Sequence, residues 1–514
     1  MVKDRDSQTD CSPARRWGSL AVMMGSLLVV AMDMTIMTIA IPAISRELNP
    51  STEQLLWIVD SYSLVVAGLL VVMSALSDRF GRKRVLMLGY LTFSLASAGI
   101  VLADSAGDVI AIRLLLGVGG SMIMPTTLSM IRVLFTDPQE RATAIGAWSA
   151  VAALGIGVGP ILGGVLLHFF SWHSAFLVNL PLMLLAVVLA GLVLPESTVA
   201  VTKPLDWFAA LLSMVGVAEV LFAIKRFGEL KSLASWDAWA TLVTGIALLT
   251  WFTLRCLHRE EPLLDLRLFT SRSFSAGILT ALVTMFSTAA AFLLLTQWLL
   301  VVDKQTPTAV GFMLLPVTII SGVAALLIAP LAGRAGTRRT LVGGLLLATA
   351  GMLVLALYPG RVTLGLVMIS LGMIGVGMGT LALGSLLIMA QTSEDTAGNA
   401  AALEEISYEL GNVLGVATLG AISGAYFSHG VLAAAADLDV SVDQGTLKHA
   451  SESVAAAVQV AGEHGLTGFV HEIEQLFTDS VRLAFLAGGA AMLVLSALIA
   501  WLTPKNVDIT KTTH

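Results

Sequence analysis

Charge is what this chain is short of. Asp, Glu, Lys and Arg make up 12% of its 514 residues, about half the share with which a soluble domain wets its surface. Most of the surface must therefore face something other than water. Cysteine is nearly absent: Cys11 and Cys256 stand far apart with no CxxC, which excludes a disulfide framework and a thiol redox motif. The eight histidines show no ligand spacing, so no metal site is expected. No GxxxxGK[ST] run occurs, so nucleotide hydrolysis is not the expected energy source, and no cofactor is expected. No Ser/Lys dyad or His/Glu metal set suggests an enzyme, and neither catalytic residues nor a nucleic-acid partner are expected.

Apolar length is what the chain has in abundance. Apolar residues account for 56%, and the mean hydropathy is +0.87. Runs of about 20 residues, enough to cross a hydrocarbon core of about 30 Å, recur from end to end. Polar breaks divide them into fourteen spans near 17–43, 52–76, 84–103, 108–134, 141–167, 174–194, 206–224, 237–257, 273–302, 307–331, 339–357, 362–391, 398–427 and 480–503. The first run follows Arg15 and Arg16 but is too long for a signal-peptide core and carries Asp33, so it reads as a retained span.

An even count puts both termini on one side. Nineteen Lys and Arg then fall on the terminal side against seven on the other, which predicts N-in and C-in. Lys225, Arg226 and Lys231, read as bases of an outer loop, run against that rule. The formal net charge of −6 is local in origin. The stretch 429–479, read as an extracellular loop between spans 13 and 14, holds eight acids against Lys448. Within it, 430–438 and 451–477 read as two amphipathic helices.

An internal echo sets the architecture. After span 2 the chain reads SALSDRFGRKR (74–84), and after span 10 it reads APLAGRAGTRR (329–339). Two similar basic loops, each after the second span of a half, predict two six-span repeats, 17–194 and 273–503. Residues 206–257 are then two inserted helices, with cytoplasmic tails at 1–16 and 504–514. The expected fold class is an all-α polytopic membrane protein.

The motifs carry specific physics. In the first loop Gly81 permits a tight turn, and Asp78 can pair with Arg79, Arg82 or Lys83 as a latch made in one conformation and broken in another. Gly333 replaces that acid in the second loop. Span 5 carries GIGVGPILGG, where Gly155, Gly159 and Gly163 share one face and let another backbone come close. Pro160 removes a backbone hydrogen bond and favours a bend. Arg113 in span 4 is costly in lipid unless an acid at similar depth pairs with it. Asp33 in MDMTIMTIAIP and Asp60 in WIVDSYSL are the two candidates. Span 13 carries GNAAALEEISYELGN, in which Glu405 and Glu409 share a face and Glu404 lies about 100° away. Trp57, Tyr62 and Tyr408 adjoin candidate carboxylates and could hold an ammonium group over their rings. Trp148, Phe286, Phe292, Trp298 and Phe312, with 21 methionines, offer further adaptable wall.

These motifs together resemble the major facilitator superfamily over nearly the whole chain. Ser74 stands where that family usually has glycine, and Leu116 where a glutamine is common. The span 5 glycines are similar to the signature of its exporting, antiporter branch. The Asp33 and Asp60 motifs, MPTTLSMIRV (124–133), SWHSAF (171–176) and the triple acid resemble the fourteen-span drug:proton antiporters, particularly the quaternary-ammonium (QacA-type) exporters. The resemblance implies a major facilitator fold, working as a monomer in the bacterial cytoplasmic membrane by alternating access. Its partners would be protons, small amphipathic cationic drugs and the lipid bilayer, with the proton gradient as energy source. It implies proton coupling at Asp33, Glu405, Glu409 and Arg113. Substrate binding would involve Asp33, Asp60, Trp57, Tyr62, Glu404, Glu405, Tyr408 and Glu409. One departure stands out: exporters of this type that handle divalent cations have an acid in span 10 where LLPVTIIS (314–321) has Ser321. That departure implies a preference for monovalent lipophilic cations. A narrow exporter of one antibiotic or lipid, and a nutrient facilitator or importer, remain open alternatives.

Overall fold

Lipid offers a peptide group no hydrogen-bond partner, so a chain this apolar must close its backbone bonds within helices. The computed structural model describes residues 12–197, 206–230, 235–259, 262–393, 395–437, 444–464 and 466–504. Among the described residues it contains fourteen membrane-length helices, here spans 1 to 14: Pro13–Met37, Trp57–Phe80, Arg82–Leu102, Ala106–Leu134, Pro138–Phe169, Ser174–Val193, Trp207–Phe227, Trp236–His258, Arg272–Val301, Ala309–Ala335, Thr337–Leu357, Leu364–Ala390, Ala397–Ala435 and Gly468–Leu502.

The two halves repeat the same packing. Span 1 packs on span 5, 2 on 4, 3 on 4 and 3 on 6; eight spans later, 9 packs on 13, 10 on 12, 11 on 12 and 11 on 14. The echo extends to the backbone, because Gly81 (φ 108°) and Gly336 (φ 91°) hold the same left-handed position in the two loops, where a side chain would be strained. The halves meet along span 5 against span 10 and span 2 against span 13. Spans 7 and 8 pack on each other, and span 7 also lies against spans 2 and 13.

The span 5 glycines do face a neighbouring helix. A Cβ on Gly155 would stand 2.7 Å from Ala31 Cβ, one on Gly159 2.7 Å from the carbonyl oxygen of Met32, and one on Gly163 2.8 Å from Ile36 Cγ1. Only a residue without a side chain lets spans 1 and 5 lie this close.

Two boundaries differ from the sequence reading. The helix of span 7 runs to Leu230, so Lys225 and Arg226 are helical rather than loop bases; Lys231 lies outside the described residues. The helix of span 13 runs to Asp437, because the alanine-rich stretch after Gly430 has nothing to stop it. The stretch 430–438 is thus mostly its continuation. The second expected helix is divided among Gln444–Glu452, Val454–Glu463 and the start of the Thr467–Leu502 helix. Lys304, between spans 9 and 10, pairs with Glu474 at 3.0 Å and ties this region down.

Candidate transport cavity

Where the halves face each other they enclose a cavity of about 780 Å³ lined by spans 1, 2, 4, 5, 7, 9, 10, 12 and 13. Its wall is mostly apolar, with Met34, Met124, Met285 and Met378 among the lining side chains. Of the candidate aromatics, Tyr62, Trp148, Phe292 and Tyr408 line it. Phe312 is instead largely exposed on the outside of the bundle. Trp298 is buried, its ring N–H donating to Thr478 Oγ1 at 3.0 Å, and Phe286 packs in the core.

The cavity is sealed toward the face where the chain termini lie. Arg132, at the end of span 4, donates to the carbonyl oxygens of Met389 (3.2 Å) and Thr392 (2.9 Å) in the opposite half. Beside it, Gly398 lets span 13 close on span 2, since a Cβ there would lie 2.8 Å from both Asp78 Cγ and Ser74 Oγ. Toward the other face the lining continues through Ile41, Leu293 and Ala421.

The loop motif supports this seal. Asp78 accepts from Arg82 at 3.0 and 2.8 Å, both side chains buried. Arg79 lies against the Phe80 ring at 5.8 Å. Lys83 does not join the Asp78 latch: its ammonium donates to the carbonyl oxygen of Gly191 at 2.8 Å. Glu196, which the sequence did not single out, accepts from the backbone N–H of Lys83 at 3.2 Å at the start of span 3. Helix N-termini favour such a carboxylate.

On the first-half wall the charges are compensated. Arg113 is buried and pairs with Asp33, Nη1 to Oδ2, at 3.1 Å. Its other nitrogens donate to the carbonyl oxygens of Ile58 (3.1 Å) and Val59 (3.4 Å). Asn179 donates to Asp33 Oδ1 at 2.6 Å. The guanidinium lies over the Tyr62 ring, 4.7 Å from its centroid. Arg113 and Tyr62 face the cavity, whereas Asp33, 1% exposed, is not among its lining residues. Asp33 therefore lies behind the wall of this cavity, where the sequence reading expected contact with substrate.

Asp60 does line the cavity, but Arg113 is not its partner. It accepts from the ammonium of Lys225 on span 7, which lines the same space. Trp57, three residues earlier, leaves the site. It stacks on Phe222 with ring centroids 6.1 Å apart and is 38% exposed, because span 7 covers that side of span 2.

On the second-half wall the acids are less fully partnered. Glu405 and Glu409 line the cavity, and Oε2 of each has no hydrogen-bond partner among the described residues. Glu404 is fully buried, turned about 100° toward span 12. There its Oε1 accepts from Ser385 and Tyr408. It does not line the cavity, although substrate binding was expected there. Tyr408 spans both environments, touching Glu404 while lining the cavity. Ser321 of span 10 faces the cavity as well.

Around the cavity walls, three further participants were missed in the sequence. Lys225 was hidden by ending span 7 at its first base. Asn179 was legible as a lone amide in the apolar run FLVNLPL. Ser385 gives no signal, since serines are common in these spans.

Residues 23–416 match the family model described as Major Facilitator Superfamily. The chain is 34% identical over 492 residues to the multidrug efflux pump LfrA of Mycolicibacterium smegmatis, covering 96% of this chain and 95% of that one. It is 33% identical to the methyl viologen resistance protein SmvA of Salmonella typhimurium, covering 95% and 98%. It is 30% identical to the tetracenomycin C resistance and export protein of Streptomyces glaucescens, covering 96% and 92%. Two solved structures share the fold. The human organic anion transporter MFSD10 has a TM-score of 0.63 at 13% identity, covering 95% of this chain and 100% of that one. A bacterial homologue of the human lysosomal transporter Spinster has a TM-score of 0.56 at 15% identity, covering 97% and 100%.

Proposed function

The chain belongs to the Major Facilitator Superfamily, and from that premise we propose that it exports amphipathic organic cations in exchange for protons. Its relatives make it a drug-efflux transporter of the bacterial inner membrane. The observation that carries the finer reading is the pair of unpartnered carboxylates, Glu405 and Glu409, on an otherwise apolar cavity wall.

An ionised carboxylate held out of water is costly unless a proton or another cation joins it. Each of these glutamates can satisfy that need in two ways that exclude each other. A guest cation bound there leaves when a proton replaces it, and a departing proton makes room for the next guest. Exchange is obligatory when, in addition, the empty ionised site is too costly to reorient through lipid. The rings of Trp148, Phe292 and Tyr408 hold ammonium groups by cation–π attraction. The lining methionines adapt to guests of different shape.

With the termini cytoplasmic, as the Lys and Arg distribution favours, the structure is closed to the cytoplasm. Opening the other way requires Arg132 to leave the span 12 carbonyls and span 13 to part from Asp78. Ser321 supports a preference for singly charged guests, since an acid there would add another negative group to the wall.

Inside-out vesicles or proteoliposomes test this directly. On acidifying the lumen, the wild type is expected to accumulate ethidium, a monocation, in preference to propidium, a dication on the same ring system. One relative is named for methyl viologen, itself a dication, so both dyes belong in the same assay. No proton-dependent accumulation of either dye defeats the cation:proton reading; equal handling of both defeats the monovalent preference alone.

A further inference from the structure

The inserted helices have no counterpart in the twofold repeat, yet one of them reaches the cavity. Span 7 wedges between span 2 of the first half and span 13 of the second. The seam is apolar: Ala67, Leu221 and Val413, one from each span, are buried together. Gly68 brings the backbones close, because a Cβ there would lie 3.2 Å from the carbonyl oxygen of Met214. This packing sets the rotation of span 7, and one turn beyond Leu221 on the same face comes Lys225. Its ammonium is bonded to Asp60 Oδ1, and Lys225, Asp60 and Glu409 line one cavity.

We infer that Lys225 is a specificity-determining residue, a tethered ammonium that occupies Asp60 and so sets the charge a guest can carry. The inference rests on the cationic-guest reading above. Among the described residues three acids line the cavity, while Arg113 is already answered by Asp33 behind it. With Lys225 on Asp60, Glu405 and Glu409 are left to be shared between guest and protons. Without it, a third carboxylate is open to a second positive charge. A lysine suits this role because its charge sits on a flexible four-carbon stem. A dication must push it from Asp60 to gain that partner, whereas a monocation need not.

The test uses the full chain in proteoliposomes with ethidium and propidium as probes. Lys225→Met keeps the length of the side chain and removes its charge. It is expected to raise the propidium-to-ethidium transport ratio about tenfold, well within what one charge at contact distance supplies at an effective dielectric near 20. Lys225→Arg is expected to keep the wild-type ratio. The double variant Asp60→Asn with Lys225→Met removes both charges and is expected to return the ratio toward wild type, which a merely structural salt bridge would not do. Asp60→Asn alone leaves a surplus positive charge and is expected to lower the ratio, so it carries the comparison if Lys225→Met does not fold. Transport of both dyes with a ratio indifferent to Lys225→Met, or to Asp60→Asn where the former does not fold, overturns the inference while leaving cation export standing. A wild type that moves neither dye removes the cationic-guest reading, and this inference with it.

Discussion

The two walls of the cavity solve the problem of charge in lipid in opposite ways. On the first-half side Arg113 meets Asp33, with Asn179, two backbone carbonyls and the Tyr62 ring completing the shell. On the second-half side Glu405 and Glu409 keep oxygens with no partner among the described residues. The first arrangement is closed and the second is waiting for a cation. The difference separates a framework charge from a working charge: residues of both kinds look alike as acids in spans, but only the unpaired ones can trade occupants.

The strongest test of that contrast is to open the closed wall. Removing one member of a buried ion pair leaves the other uncompensated, at a cost of about 3–5 kcal/mol. Arg113→Met is therefore expected to collapse the folded yield in detergent gel filtration. Pairing it with Asp33→Asn is expected to recover much of that yield. A fully folded Arg113→Met protein would show that Asp33 is no framework charge.

The opposite wall is expected to answer differently. Glu405→Gln and Glu409→Gln remove a charge whose Oε2 has no hydrogen-bond partner among the described residues, so folded yield is expected to hold or rise. Proton-driven dye accumulation is expected to fall about 10- to 100-fold, the equivalent of about 1.4–2.7 kcal/mol. Transport unchanged in both variants, with Asp33→Asn the damaging change instead, would reverse the assignment of the two walls.

How much of this was legible follows from the same physics. The Arg113–Asp33 pair could be anticipated because a lone guanidinium in lipid is untenable, which narrows its partner to two acids. The order of spans could be counted because crossing a bilayer fixes helix length. Helix phase was harder to read. Trp57 and Asp60 are three residues apart, yet one lies outside the cavity and the other in it, because span 7 covers part of span 2. Glu404 and Glu405 are neighbours that face span 12 and the cavity respectively. Lys225 was least legible: a base near the end of an apolar run looks the same whether the helix stops there or carries it inward.

The seal between the halves gives a smaller effect. Gly398→Ala would drive a methyl group against Asp78 and Ser74, and overpacking of this kind costs about 1–3 kcal/mol. The cost falls only on the state in which spans 2 and 13 are closed. The expected outcome is a shift toward the state open on the termini face, read as faster labelling of a cysteine introduced at Ser74. Slower or equal labelling would mean that the contact persists through the transport cycle.

The smallest effect comes from outside both walls, where the contrast between closed and open charge can be examined near water. Asp206, just before span 7, accepts from Arg255 at 2.7 and 3.1 Å and pairs with Arg259 at 3.1 Å, joining the ends of the inserted helices. Burial pushes its carboxyl up, but hydrogen bonds from Arg255 and the Ala209 N–H, with the charges of both arginines, outweigh it and hold the group below the usual carboxylate range. A group lowered on folding adds stability above its unfolded value and loses that contribution as pH falls through the folded one. The two arginines are partly exposed, so Asp206→Asn is expected to cost only about 0.2–1 kcal/mol. That deficit is expected to be constant from about pH 5 to 8 and to shrink on acidification below about pH 4, the unfolded aspartate value. Thermal unfolding of both proteins across that range measures it. A deficit that grows with acid would mean that Asp206 is held protonated, and that a carboxylate between two arginines here is no better compensated than Glu409.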